Sequence, residues 1–180
     1  MEIKQILDKI EANKSIQQFP NKPGIYVMYA KKDIVFDFIT INKGEIIYIG
    51  KSESSLSDRK TKQHFSSENT GRSTVRRSLG AILKKEFNIK CYLRGKGKSK
   101  NDSICYIFNK EGEIKLTSWM NENISLSFFV ANNPEEIEVM LITRYNPLLN
   151  LKEAKHNFTT IIKDLRNKCK DEAVKNGVLK

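Results

Sequence analysis

Apolar positions along this chain recur at helical spacing in some stretches and at strand spacing in others. Over residues 1–13, Ile3, Ile6, Leu7 and Ile10 predict an amphipathic helix, closed off by Pro20 and Pro23. Residues 24–30 (GIYVMYA) are rich in β-branched and aromatic side chains and predict a strand. A second strand is predicted over 34–41 (IVFDFITI) and a third over 45–50 (EIIYIG), with Asn42-Lys43-Gly44 as the turn between them. Together these read as a small antiparallel meander.

Helices are predicted over 54–65 and 73–87, the latter with Val75, Leu79, Ile82 and Leu83 as its buried stripe. Residues 96–102 (KGKSKND) read as an exposed loop, 105–108 as a short strand and 116–121 as a short helix. Residues 124–131 (ISLSFFVA) read as a strand. Asn133 at the N-cap, Pro134 at N1 and Glu136 placed for a capping box then start a helix that runs to Tyr145 and stops before Pro147. Finally, Phe158, Ile161, Ile162, Leu165 and Cys169 predict an amphipathic C-terminal helix. With no internal repeat and no low-complexity tract, the expected architecture is one α+β domain with helices at both ends.

Composition narrows the class. At 180 residues, 39% hydrophobic and 29% charged, the chain can bury a real core and is not of the disordered type. Its three cysteines (Cys91, Cys105 and Cys169) show no CxxC pair and leave one over in any pairing, so reduced thiols in a cytoplasmic protein are expected. No apolar run approaches the roughly 18 residues of a membrane span, and no signal peptide is expected.

Charge adds a partner. The net +11 is concentrated in residues 51–100, where fourteen basic and four acidic side chains give +10, while residues 101–150 carry −4. A concentrated positive field suits a polyanion, because neutralising phosphates releases condensed counterions. Lys51, Arg72, Arg76, Arg77, Lys84 and Lys85 are the candidate phosphate contacts, which would set register without reading bases. The plainer alternative is a solvated basic face whose arginines flank a core stripe.

Two predicted strands each place a tyrosine beside a glycine, as Gly24-Ile25-Tyr26 and Tyr48-Ile49-Gly50. A basic segment with Arg59 and His64 follows, then Glu138 on a capped helix and Asn150 just past its end. Cutting a phosphodiester needs an activated nucleophile, neutralisation of developing charge and help for the leaving oxygen. Phenol, imidazole and guanidinium beside a carboxylate able to hold one divalent metal meet those needs. Singly, each residue has an ordinary reading: a cross-strand aromatic pair, a surface helix carboxylate, a packed histidine, a turn asparagine.

In this order the residues resemble the signature of the GIY-YIG nuclease superfamily. Its members include intron homing endonucleases, several restriction enzymes and the incision subunit of bacterial nucleotide excision repair. The stretch from Glu138 through Leu141-Ile142 and Pro147 to Asn150 is similar to the repair-subunit form. The resemblance implies a small three-stranded antiparallel sheet wrapped by helices, and hydrolysis of double-stranded DNA with one Mg²⁺ or Mn²⁺ per active site. It implies that Glu138 ligates the metal, that Tyr26 or Tyr48 assists proton removal from the attacking water, and that Arg59 binds the scissile phosphate. His64 would orient the water or the tyrosine, and Asn150 would hold the hydrogen-bond network.

The chain departs from the pattern in three ways. Tyr26 and Tyr48 lie 22 residues apart, so 31–43 read as an insertion carrying an extra strand or hairpin. Arg59 and His64 are five apart rather than four, so Arg59 precedes the helix proper, a bulge realigns the pair, or Lys60 takes the arginine's place. Residues 66–123 form an enlarged middle insert. The expected domain is 1–180, with its core at about 22–151, an N-terminal helix at 1–15 and a C-terminal helix at 154–175. A stand-alone, restriction-like or mobile-element endonuclease is the leading functional expectation. A catalytically inactive DNA-binding module is the alternative, and structured RNA is a further candidate ligand.

Overall fold

The computed structural model describes residues 3–15, 18–59, 64–95, 105–153 and 155–179. It resolves into two compact units, one built from 1–61 and 122–156, the other from 62–121 and 157–180.

In the first unit, helix α1 (Ile3–Ala12) precedes strand β1 (Gly24–Ala30). A ribbon of β2 (Ile34–Phe36) and β3 (Ile39–Ile41) comes next, then β4 (Ile46–Ser52) and the single turn α2 (Leu56–Arg59). The main sheet has the antiparallel order β4-β1-β7, where β7 is Ile124–Val130. Every residue of β1 is buried, as a central strand covered on both faces must be.

Side chains alternate across this sheet. Ile25, Val27, Tyr29, Ile49 and Phe129 pack on one face with Ile6 and Ile10 of α1 and with Leu141 and Ile142 of a later helix, Pro134–Tyr145. Ser127 donates its hydroxyl proton to the Ile10 carbonyl, and Asn13 Nδ2 donates to the Phe128 carbonyl at 2.9 Å, fixing α1 along β7. Tyr26, Met28, Tyr48, Gly50 and Phe128 belong to the opposite face, as their register requires.

The predicted meander is corrected here. Residues 34–41 are a tight hairpin turning at Asp37-Phe38, and they pair only with themselves. β1 instead takes β4 and the distant β7 as neighbours. Within the 31–43 insertion, residues 34–41 therefore form a self-paired ribbon. Its return turn carries Gly44 at φ +85°, where a side chain would be strained.

The second unit contains α3 (Thr74–Ile82), α4 (Lys84–Phe87), β5 (Cys91–Leu93) and β6 (Tyr106–Phe108). It also holds most of α5 (Lys110–Asn123) and α7 (Phe158–Asn176). The single helix expected over 73–87 is broken after Ile82, because Leu83 leaves the helical region at ψ 4° and Asn88 ends α4 in the left-handed conformation. The short helix expected over 116–121 extends from Lys110, with Glu111 and Glu113 favouring its positive N-terminal end. Strand β5, which the sequence pattern missed, pairs with β6. Helix α6 (Pro134–Tyr145) begins and ends as predicted, but Asn133 makes no side-chain cap bond, so Pro134 at N1 carries the start. The 96–102 loop lies outside the described residues.

Candidate active site

β4 is an edge strand, and an edge leaves backbone donors and acceptors that must find partners. Here they find the late part of the chain. Leu149 N–H donates to the Ile47 carbonyl at 3.0 Å. The Asn150 amide then behaves like a neighbouring strand: its Oδ1 accepts from Ile49 N–H at 2.9 Å and its Nδ2 donates to the Ile49 carbonyl at 2.7 Å. Two residues further along the same edge, the Lys51 backbone and ammonium face the Glu138 carboxylate and favour its ionised form. Asn150 is thereby tied to the strand that carries Tyr48-Ile49-Gly50, and Glu138 stands beside it.

The two glycines of the paired motifs serve close approach. Tyr26 lies opposite Gly50 in the register, and Tyr48 lies two residues away on the same face. A Cβ on Gly50 would collide with the Tyr26 phenol and the Tyr48 ring, so the bare glycine is what lets the Tyr26 ring lie across β4. The two rings sit 6.0 Å apart at 37°. Tyr26 is buried, with 4% exposure, whereas Tyr48 is half-buried and reaches solvent. Gly50→Ala is expected to displace the Tyr26 ring and lower cleavage by about 10²-fold, the scale of an ångström-sized misplacement in an active site. Single-turnover kinetics on plasmid would measure it, and an unchanged rate would remove the ring's position from the chemistry. Asn150→Ala leaves the buried Ile49 N–H and carbonyl unpaired and is expected to cost about 3 kcal/mol in denaturant unfolding.

Glu138 is half-buried on α6. Burial raises its pKa, Glu153 and Glu135 add to the rise, and the Lys51 charge and N–H oppose it. The Lys51 ammonium is 3.1 Å from Glu53 and 3.2 Å from Glu135, and these contacts raise its own pKa. Sequence reasoning missed both carboxylates. For Glu135 a signal existed: it stands three residues before Glu138, on the same helical stripe.

The remaining expected residues divide. Arg59 closes α2, whose start is capped by Ser55 Oγ accepting from Asp58 N–H at 3.0 Å; the Arg59 side chain and Lys60 lie outside the described residues. His64 belongs to the second unit, buried, with Nδ1 2.8 Å from Ser73 Oγ. Ser73 also accepts from the Arg76 N–H at 3.1 Å as the N-cap of α3.

The basic candidates need correction. Arg76 has no exposure, and its guanidinium is spent on Glu113, Thr70 and the His64 carbonyl, so it does not face a phosphate backbone. Arg77 is half-buried and bonds the Gly71 carbonyl, and Lys84 pairs with Glu172 at 2.8 Å. Arg72 and Lys85 are the two that present exposed side chains.

Among the described residues, no three His, Cys, Asp or Glu side chains are grouped so as to hold a metal, and no helix is long and apolar enough to cross a membrane. The GIY-YIG catalytic domain matches residues 24–168, and the chain belongs to that family. Its fold is the mixed α and β one with a small antiparallel sheet, its function is of nuclease type, and its substrate is nucleic acid. No curated protein and no solved structure matches the chain.

Proposed function

We propose that the protein is a divalent-metal-dependent endonuclease acting on double-stranded DNA, with Mg²⁺ or Mn²⁺ held at Glu138. The observation that carries this reading is the anchoring of Asn150 to the outer edge of the Tyr48-Ile49-Gly50 strand with Glu138 beside Lys51 on the same edge, inside the span that matches the family. A half-buried carboxylate fits a hard cation that takes its other ligands from water and substrate phosphate. When bound, such an ion supplies charge neutralisation at the phosphoryl oxygens and at the leaving oxygen.

The chain's own groups do the rest. The Tyr48 phenol, with its route to solvent, takes the proton of the attacking water, and Tyr26 packs behind it over Gly50. A phenol has an ordinary pKa near 10, so that transfer needs nearby cations. Lys51 supplies one, once a phosphate draws it from Glu53 and Glu135. Asn150 fixes the Ile49 backbone between the phenol and the carboxylate-bound edge. Arg59 and His64 keep, in this proposal, the roles of phosphate binding and of orienting the water or the tyrosine. A cytoplasmic location accords with three cysteines present as free thiols.

Incubating supercoiled plasmid with Mg²⁺ or Mn²⁺ tests the proposal, nicking being the expected result and its absence with every divalent metal the contrary one. The inactive DNA-binding module remains the second reading, favoured by the burial of His64 against Ser73. It predicts salt-sensitive binding without turnover. Under either reading, Arg72→Ala and Lys85→Ala should each reduce the slope of log K against log salt by about one, while Arg76→Met should leave it unchanged. Fluorescence anisotropy over a salt series gives those slopes.

A further inference from the structure

All three cysteines lie in the second unit, and two of them stand on elements that pack together. Cys91 opens β5 and Cys169 sits within α7, both with 0% exposure. The Cys91 N–H donates to Glu172 Oε1 at 3.0 Å, and Asn176 Nδ2 donates to the Cys91 carbonyl at 3.0 Å. Glu172 and Asn176 stand three and seven residues beyond Cys169, on the same stripe of the helix. The backbone of Cys91 is thus clamped to the face that carries Cys169, which places the two thiols near enough for each to shift the other's titration.

The surroundings make the pair unequal. The proton donated to Cys169, together with burial, pushes the Cys91 thiol up. The accepted hydrogen bond from Cys91 and the Lys84 charge hold Cys169 below the ordinary thiol value, against the effect of its burial. Lys84 is itself fixed there by Glu172 at 2.8 Å and by donation to the Ile89 carbonyl at 2.8 Å. Tyr106 also stands beside Cys169, while its hydroxyl proton goes to the Arg77 carbonyl at 2.9 Å. Cys105, half-buried near Arg77, is outside this arrangement.

We propose that Cys91 and Cys169 are a redox modification site, which hydrogen peroxide converts to an intramolecular disulfide joining β5 to α7. The Cys169 thiolate attacks one peroxide oxygen, the O–O bond breaks, and the departing hydroxide takes a proton to leave as water. The Cys91 sulfur then attacks the Cys169 sulfenic acid; the S–S bond forms, the S–O bond breaks, and the Cys91 proton leaves with the hydroxide as a second water. Two thiols lose two electrons and one peroxide gains them. Because neither sulfur is exposed, an oxidant close to water in size reaches the pair and a bulky disulfide such as oxidised glutathione does not.

The test is peptide mapping of the intact native chain without reduction, after hydrogen peroxide and alkylation in denaturant. The expected result is a linked Cys91–Cys169 peptide that dithiothreitol releases, with a rise of several degrees in Tm from closing so long a loop. In Cys91→Ser, dimedone added together with denaturant after the peroxide should capture sulfenic acid at Cys169. Peroxide that fully oxidises Cys105 while leaving Cys91 and Cys169 as thiols in the wild-type chain would overturn the proposal, whatever the variants do. Linkage formed only in denaturant would overturn it as well.

Discussion

Glu138→Gln is expected to lower metal-supported DNA cleavage by about 10³-fold, the order that losing several kcal/mol of charge stabilisation produces. The amide keeps the size of the side chain and an oxygen facing Lys51, so the packing beside β4 is retained. What is lost is the anionic ligand. Stability separates this outcome from simple unfolding. Burial raises the Glu138 pKa, so the folded protein binds more protons than the unfolded chain between the ordinary glutamate value and the raised one. Its contribution to stability is therefore present at low pH and is lost as pH rises through that window. At neutral pH the ionised carboxylate costs stability, and Glu138→Gln should melt at the wild-type temperature or slightly above it. Wild-type cleavage should rise with pH across the same window, because the cation requires the ionised carboxylate. Single-turnover nicking and thermal melts over a pH series measure both. Nicking by Glu138→Gln within threefold of wild type would remove Glu138 from the chemistry.

That residue was legible because its neighbours announced it. Pro134 at N1 and Pro147 beyond the end bound α6, which placed Glu138 on a helix, and the GIY and YIG triplets fall on β1 and β4. The seven-residue apolar run of β1 has the bounds its sequence predicts, since a strand buried on both faces needs no alternation. Pairing was not legible in the same way. Residues 34–41 read as one strand because a hairpin turning at Asp37-Phe38 interrupts the apolar pattern no more than a strand's polar face would. That β1 chooses β7, about a hundred residues later, is a non-local choice that local periodicity does not carry. The carboxylates holding Lys51 were hidden for a related reason, since Glu53 and Glu135 approach from different elements. Arg76 is the clearest case: a basic residue flanking a helical stripe looks solvated until a partner 37 residues away is brought beside it.

Glu113→Ala is expected to destabilise the protein by about 3–5 kcal/mol, because it strands the Arg76 charge in the interior. The two groups are in contact at 2.5 Å, with side-chain exposures of 0% and 2%. Desolvation pushes the Arg76 pKa down and the Glu113 carboxylate pushes it back up. Arg76 Nε also donates to Thr70 Oγ1 at 3.3 Å, and its Nη1 donates to the His64 carbonyl at 3.0 Å. These contacts satisfy donors without supplying a counter-charge. The destabilisation should lower Tm by about 10 °C for a chain of this length. Glu113 Oε1, buried with no hydrogen-bond partner, adds a desolvation cost to the intact pair. Replacing both partners, as Arg76→Met with Glu113→Leu, should therefore recover most of the loss, since an apolar pair of similar volume carries no such cost. A double-mutant cycle read by denaturant unfolding distinguishes the two accounts. If Arg76 served DNA rather than the interior, Glu113→Ala would leave stability within about 0.5 kcal/mol of wild type, as surface substitutions do. Loss on the single change with recovery on the double assigns the arginine to the fold.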